Sequence, residues 1–392
     1  MSTERKHAGL ERELEEELDG LGLVDHHCHG VVTTDLDRAG FEDLISESFD
    51  PAPPGTSHVD TPVGLAIRRW CAPVLDLEPL ATTGEYLARR SELGAEEVNR
   101  RLLRASGLSA LLVETGYRSA DVAGPDAMAS LADAPVHEVV RLEAVAEAVA
   151  GAEPAAASYA DAFLEALERS SRDAVGLKTI VAYRGGFAFD PSPPSSADVA
   201  RAADGWLRAR AAEGARLEDP TLLRFGICAG AELARDRGLP LQVHAGYGDP
   251  DITLHLTNPS LLTDLVKALG RLGVNVVFLH CYPYQREAAY LAAVLPSVYL
   301  DVGETITYTG ASSWRVLAEA MELAPFTKHL YSSDAFGVAE LYHLGAVHFR
   351  RGMARVLGAW IADDACSREE ALRIASLAGR ENALRLYPLN GR

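Results

Sequence analysis

Residues 23–29 read LVDHHCH: three imidazoles and a carboxylate directly after two apolar residues. His27 and His29 stand two apart, and on a strand such residues face the same side. They can therefore grip one ion together, while His26 and Cys28 face the other way. Further donors follow at the ends of later apolar runs. His244 closes LQVHAG, His280 closes VVFLHC, Asp301 and Glu304 lie in VYLDVGE, and Asp334 lies in HLYSSDA. Imidazole with carboxylate suits Zn²⁺, Mn²⁺ or Fe²⁺. His27, His29, His244 and Asp334 would give three imidazoles and one carboxylate. A hydrolytic site leaves one position open for a water whose pKa the ion lowers toward neutrality. A carboxylate touching both ion and water can also take the proton.

Other polar residues stand near the ends of apolar runs: Glu114, Arg141, Glu143, Lys178, Tyr183 and Arg184. Buried charges need partners or a ligand. Arg184 suits a substrate carboxylate by bidentate contact; its plainer alternative is a surface arginine. Lys178, Tyr183 and Glu114 are candidate substrate contacts, although Glu114, Arg141 and Glu143 would equally serve as mutual partners under the site. Likewise, a hydrogen-bonded core histidine is the plain alternative for each imidazole. Cys28 reads as packing. Arg68, Arg69 and Trp70 read as an ordinary helix with one arginine as a lid contact, and Glu340 reads as a cap on the last long helix.

Eight short apolar runs must position these residues: 23–29, 110–116, 139–145, 175–183, 239–246, 275–281, 298–304 and 329–335. They do not alternate polar with apolar, which suits parallel strands buried on both faces. Helical stretches lie between them, such as LRFGICAGAELARDRG before the fifth and NPSLLTDLVKALGRLG before the sixth. Strand and helix eight times over predict an α/β fold, a (β/α)8 TIM barrel, whose strand ends converge on one pocket. Residues 1–392 are expected to form a single domain. Residues 31–105 are too long for one crossover and read as a helical insertion, or lid, after the first strand. Residues 351–392 read as C-terminal helices packed on the barrel.

The motifs VDHHCHG, VHAG, LHC and YSSDA, in that order along residues 20–350, resemble the amidohydrolase superfamily. The stretch SSDAFGVAELYHLGA with HFRRGMARVL resembles its amidohydrolase-2 type, and more narrowly the module found fused to or beside glutamine-synthetase-like domains. The resemblance implies His27, His29, His244 and Asp334 as metal ligands, with Asp334 also catalytic. It implies His280 as a catalytic or substrate-orienting residue, or a ligand to a second metal. In binuclear relatives a carboxylated lysine bridges two metals, and Lys178 stands on the corresponding strand. Five more residues of apparent strand follow Lys178, which favours one metal, Zn²⁺ ahead of Mn²⁺ or Fe²⁺, and leaves the two-metal reading open. The expected reaction is metal-dependent hydrolysis of a C–N bond, an amide or related, in a small polar, carboxylated substrate. The runner-up is a metal-dependent decarboxylase or C–C lyase on the same scaffold. A non-catalytic barrel acting as a binding module is the third reading.

Bulk properties narrow the partners. Lys plus Arg number 37 against 56 Asp plus Glu, a net charge of −19. Such a balance opposes nucleic acid and anionic membranes, though a bound ion or a few arginines can still hold an anionic substrate. Five cysteines, scattered and never two residues apart, oppose a disulfide framework or thiolate cluster. No run of eighteen apolar residues occurs, and the charged first twenty residues have no apolar signal core. The expected setting is cytoplasmic, with a small-molecule substrate and a homo-oligomer, a dimer or larger, as the assembly.

Overall fold

Short runs rich in Val and Leu become buried parallel strands in the computed structural model, which describes residues 3–389, the side chains of residues 3–8 and 213 aside. The strands are β1 (Leu23–Cys28), β2 (Leu108–Glu114), β3 (Val136–Arg141), β4 (Gly176–Thr179), β5 (Leu241–Ala245), β6 (Val276–His280) and β7 (Val298–Leu300). They form one seven-stranded sheet in sequence order. Every residue of β4, β5 and β6 is buried, as parallel strands covered on both faces require. Among the described residues no helix is long and apolar enough to cross a membrane.

Several expected strands differ from their observed extents, and the seventh stops at Leu300, leaving Asp301 and Glu304 beyond its end. The third stops at Arg141, and Leu142 opens the helix Leu142–Gly151, with Glu143 in its first turn. Its sequence, LEAVAEAVAG, is dominated by strong helix formers. The fourth stops at Thr179, because the Glu143 carboxylate accepts from Thr179 Oγ1 (2.6 Å) and from the Ile180 N–H (3.1 Å). The chain turns there into a 3₁₀ helix, Val181–Arg184. The eighth run, 329–335, is not a regular strand, yet it lies along β1. The His26 N–H donates to the Tyr331 carbonyl (3.1 Å), the Asp334 N–H to that of His27 (3.1 Å), and the His29 N–H to that of Ala335 (2.9 Å). Asp334 has a φ of +50°, which interrupts regular pairing.

By internal contacts the chain divides into two units. The first comprises Met1–Val113, Arg118–His137 and Asp301–Arg385. In it β1 is followed by the helices Arg38–Asp43 and Pro62–Ala66, a π-helical turn Ile67–Cys71, and the helices Thr83–Leu93 and Ala95–Ala105. The helix Thr83–Leu93 starts on a capping box made by Thr82 and Glu85. Phe41, Ile67, Leu75, Tyr86, Val98 and Leu344 share one buried cluster in this unit. Glu340 does not act as a cap: the cap residue is Val338, without a side-chain bond. Instead the buried Glu340 carboxylate accepts from Arg90 Nε (2.6 Å) and Tyr86 Oη (2.8 Å), tying Thr83–Leu93 to the helix Ala339–Ala362.

The second unit comprises Glu114–Tyr117, Glu138–Leu300 and Leu386–Arg392, its last residues lying outside the described ones. Its helix Pro220–Arg237 begins at Asp219, whose carboxylate accepts from the Thr221 and Leu222 N–H groups, and ends at Gly238 with a φ of +63°. β5 begins three residues later. Gly246, with a φ of +79°, follows β5. A side chain there would collide with the backbone of Cys281 and Tyr282, so glycine lets the ends of β5 and β6 approach.

Candidate metal centre

In the first unit, His27 on β1 and His29 just past its end supply two of the donors, and the eighth run a third. His27 Nε2 lies 3.0 Å and His29 Nε2 3.4 Å from one oxygen, Asp334 Oδ1. The two imidazole rings are edge to face, with centroids 5.2 Å apart. His27 is fully buried and His29 nearly so. Register between β1 and β2 shifts between Asp25 and Cys28, so an irregularity falls at the histidine run.

The remaining residues of LVDHHCH brace this group. His26 Nε2 meets Asp301 Oδ2 at 2.7 Å, and Ser332 Oγ donates to the same oxygen at 2.9 Å. The Asp25 carboxylate accepts from the Ser333 N–H (2.9 Å) and from Ser333 Oγ (2.5 Å). Burial pushes the Asp25 carboxyl up to about 7, against those two hydrogen bonds. Both serines of YSSDA are thus spent on fixing the backbone that presents Asp334. Cys28 Sγ contacts the Leu112 carbonyl at 3.6 Å, and Tyr342 Oη donates to the His29 carbonyl.

In the second unit, Tyr183, His244 and His280 form a row. Ring centroids are 4.4 Å apart for Tyr183 and His244, and 4.5 Å for His244 and His280. His244 and His280 offer ring nitrogens within 4.8 Å of one another. His244 Nε2 lies 2.8 Å from the Tyr247 carbonyl. A carbonyl only accepts, so Nε2 carries a proton, and the neutral ring then has its lone pair at Nδ1, as in histidines that ligate metals. Register pairs His244 with Leu279 and Ala245 with His280. Regular alternation would therefore place Leu279, not His280, beside His244. Left-handed backbone at His280 (φ +66°) and Cys281 (φ +61°) breaks that alternation.

Lys178 is buried on β4, opposite Gln242 of β5 and Arg141 of β3. It stands two residues inward of the His244 level. Glu114, the last residue of β2, pairs with Arg141 and accepts from the Gly116 N–H. The Arg141 guanidinium also lies 5.4 Å from the Tyr117 ring. Arg184 donates only to the Tyr183 carbonyl (3.3 Å), and its Nε is buried without a partner among the described residues. Burial, then the Arg216 charge, lowers the Arg184 guanidinium from its ordinary range.

In each unit the donor types suit a divalent ion. Two imidazole Nε2 atoms converge on one carboxylate oxygen in the first unit. A carbonyl-anchored imidazole stands in the second. Several donors also sit on strained backbone: Asp334, His280 and Glu304 all have positive φ, a feature that clusters at functional sites. Sequence reasoning missed the Tyr247 carbonyl, Tyr342 and the serine pair. Only the serines left a signal, as hydroxyl residues directly before an expected ligand.

The amidohydrolase family matches residues 24–389. Protein fluG of Emericella nidulans is 27% identical over 94% of this chain, which spans 46% of that protein's length. A structure from Lactobacillus casei assigned as a metal-dependent hydrolase is 29% identical, with a TM-score of 0.82 over 95% of this chain and 96% of that one. Glucuronate isomerase from Caulobacter crescentus shares the fold, with a TM-score of 0.66 at 16% identity over 98% of this chain and 95% of that one. From the first histidine pair to the last helices, the chain belongs to the amidohydrolase family.

Proposed function

We propose that this chain is a metal-dependent hydrolase in which His27, His29, His244 and Asp334 hold one divalent ion, Zn²⁺ first. The observation that carries the reading is the convergence of His27 and His29 Nε2 on Asp334 Oδ1, at 3.0 and 3.4 Å. A bound divalent ion supplies Lewis-acid polarisation and lowers the pKa of water. The remaining work belongs to the chain. The Asp334 carboxylate accepts the proton of the attacking water and returns it to the leaving nitrogen. His280 orients the electrophile. Arg184, with no carboxylate partner of its own among the described residues, takes the substrate carboxylate, and Tyr183 flanks it. Glu114 acts through Arg141. Lys178 sits inward of His244 by register, which favours one ion over a lysine-bridged pair.

The helices of residues 31–105 are proposed as the insertion that screens the site, on a barrel closed by the eighth run. The substrate class proposed is a γ-glutamyl amide or a related carboxylated compound with a C–N bond. Incubation of metal-loaded protein with γ-glutamyl amides tests it. Stoichiometric release of ammonia or amine is expected. Release of CO₂ from a carboxylic acid panel, or aldose–ketose interconversion of a uronate with no C–N cleavage, would replace this reading.

A further inference from the structure

A cleft lies wholly within the first unit and contains none of the candidate metal ligands. It encloses about 290 Å³, within reach of the volume that small-ligand pockets occupy. Trp70, from the π-helical turn Ile67–Cys71, and Trp314, from the helix Ser313–Ala320, line it. Arg69, Arg351 and Arg355 line it too. The Arg69 and Arg351 guanidiniums lie 4.4 and 4.6 Å from the Trp70 ring centroid, and that of Arg355 lies 4.1 Å from the Trp314 ring. Stacking on an indole fixes a guanidinium plane and leaves its N–H edge to bind an anion.

The charges are unequal in their compensation. Arg351 pairs with Glu15. Arg69 and Arg355 make no ion pair or hydrogen bond among the described residues. In a chain of net charge −19, two such arginines in one cleft form a local reversal of sign. Glu11 is the carboxylate that lines the cleft. His348 also lines it, is 5% exposed, and its Nε2 has no hydrogen-bond partner among the described residues. Buried polar atoms in folded proteins nearly always find one. Burial and the Arg351 charge push this imidazole down to about 4. At neutral pH it can therefore donate or accept without adding charge. The π-helical turn is a rare element that recurs at functional sites, and here it supplies Arg69 and Trp70 as neighbours.

We propose that this cleft binds a small aromatic anion, its ring against the Trp70 and Trp314 indoles and its acidic group on Arg69 and Arg355, with His348 Nε2 completing the polar contacts. The probe is 8-anilinonaphthalene-1-sulfonate added to the full chain and followed by its fluorescence and by tryptophan quenching. Saturable binding near one equivalent is expected. The double variant Arg69→Gln/Arg355→Gln alters two exposed side chains and should keep the circular dichroism and metal content of the parent. Its Kd should rise by about tenfold or more, the scale of losing charge-assisted hydrogen bonds. N-phenyl-1-naphthylamine, the same aromatic body without the sulfonate, should bind correspondingly weakly. No saturable binding, equal affinity in the double variant, or equal affinity for the neutral probe would each overturn the proposal.

Discussion

The Asp334 carboxylate sits where two imidazoles converge, on backbone with a φ of +50°. Such a conformation costs about 1–3 kcal/mol and persists only where its surroundings impose it. Asp25, Asp301, Ser332 and Ser333 impose it here. Asp334→Asn removes the proton acceptor at nearly constant shape, so kcat should fall by about 10²–10⁴ while circular dichroism stays that of the parent. An unchanged kcat would remove Asp334 as the base. Ser333→Ala deprives the buried Asp25 carboxylate of a hydroxyl donor and should cost about 1–3 kcal/mol in urea unfolding. At this scale the sequence discloses the donors by type: His27 and His29 by strand period, His244, His280 and Asp334 by their place at the ends of apolar runs. It does not disclose that His280 reaches His244 only through left-handed backbone, since periodicity assumes the regular strand that φ interrupts.

Between elements, the tie that fastens the helix Thr83–Leu93 to Ala339–Ala362 is a buried ion pair, Arg90 with Glu340. Removing one partner strands the other charge in the core, so Arg90→Leu should destabilise the protein by about 3–5 kcal/mol in a denaturant titration. The double variant Arg90→Leu/Glu340→Leu should regain part of that loss. If Arg90→Leu alone left the midpoint unchanged, the pair would have no stabilising role. Strand and helix order is legible from short buried runs and capping residues, Asp219 and Gly238 among them. The strand ends are not, because tertiary contacts set them. Glu143 captures Thr179 and Ile180 and ends β4, and no local propensity announces that contact. Glu340 shows the same limit: its place near the start of a helix suggests a cap, while its partners lie some 250 residues away in sequence.

At the scale of the molecule, acid sensitivity follows from three buried histidines. Burial pushes His329, His343 and His348 each down to about 4. An unfolded histidine binds its proton near pH 6.5. Between pH 6.5 and 4 these three positions therefore hold more protons in the unfolded chain than in the folded one and lower stability as pH falls, three against the one carboxyl raised to about 7, Asp25, which acts the other way. Each histidine contributes roughly 3 kcal/mol of loss by pH 4. Thermal midpoints taken from pH 7 to 4.5 should drop below pH 6.5, and His343→Gln should lessen the slope. A midpoint flat across that range would contradict the buried, neutral state of these imidazoles. The family match over residues 24–389 spans the two histidine groups and the eighth run alike, and we propose that His27, His29, His244 and Asp334 hold one divalent ion. Elemental analysis of the purified, metal-reconstituted protein counts the ions. About one equivalent of divalent metal per chain is expected, and none in the double variant His27→Ala/His29→Ala with its circular dichroism intact. Full metal content in that variant would remove His27 and His29 as ligands, and two equivalents in the parent would overturn the single-ion site.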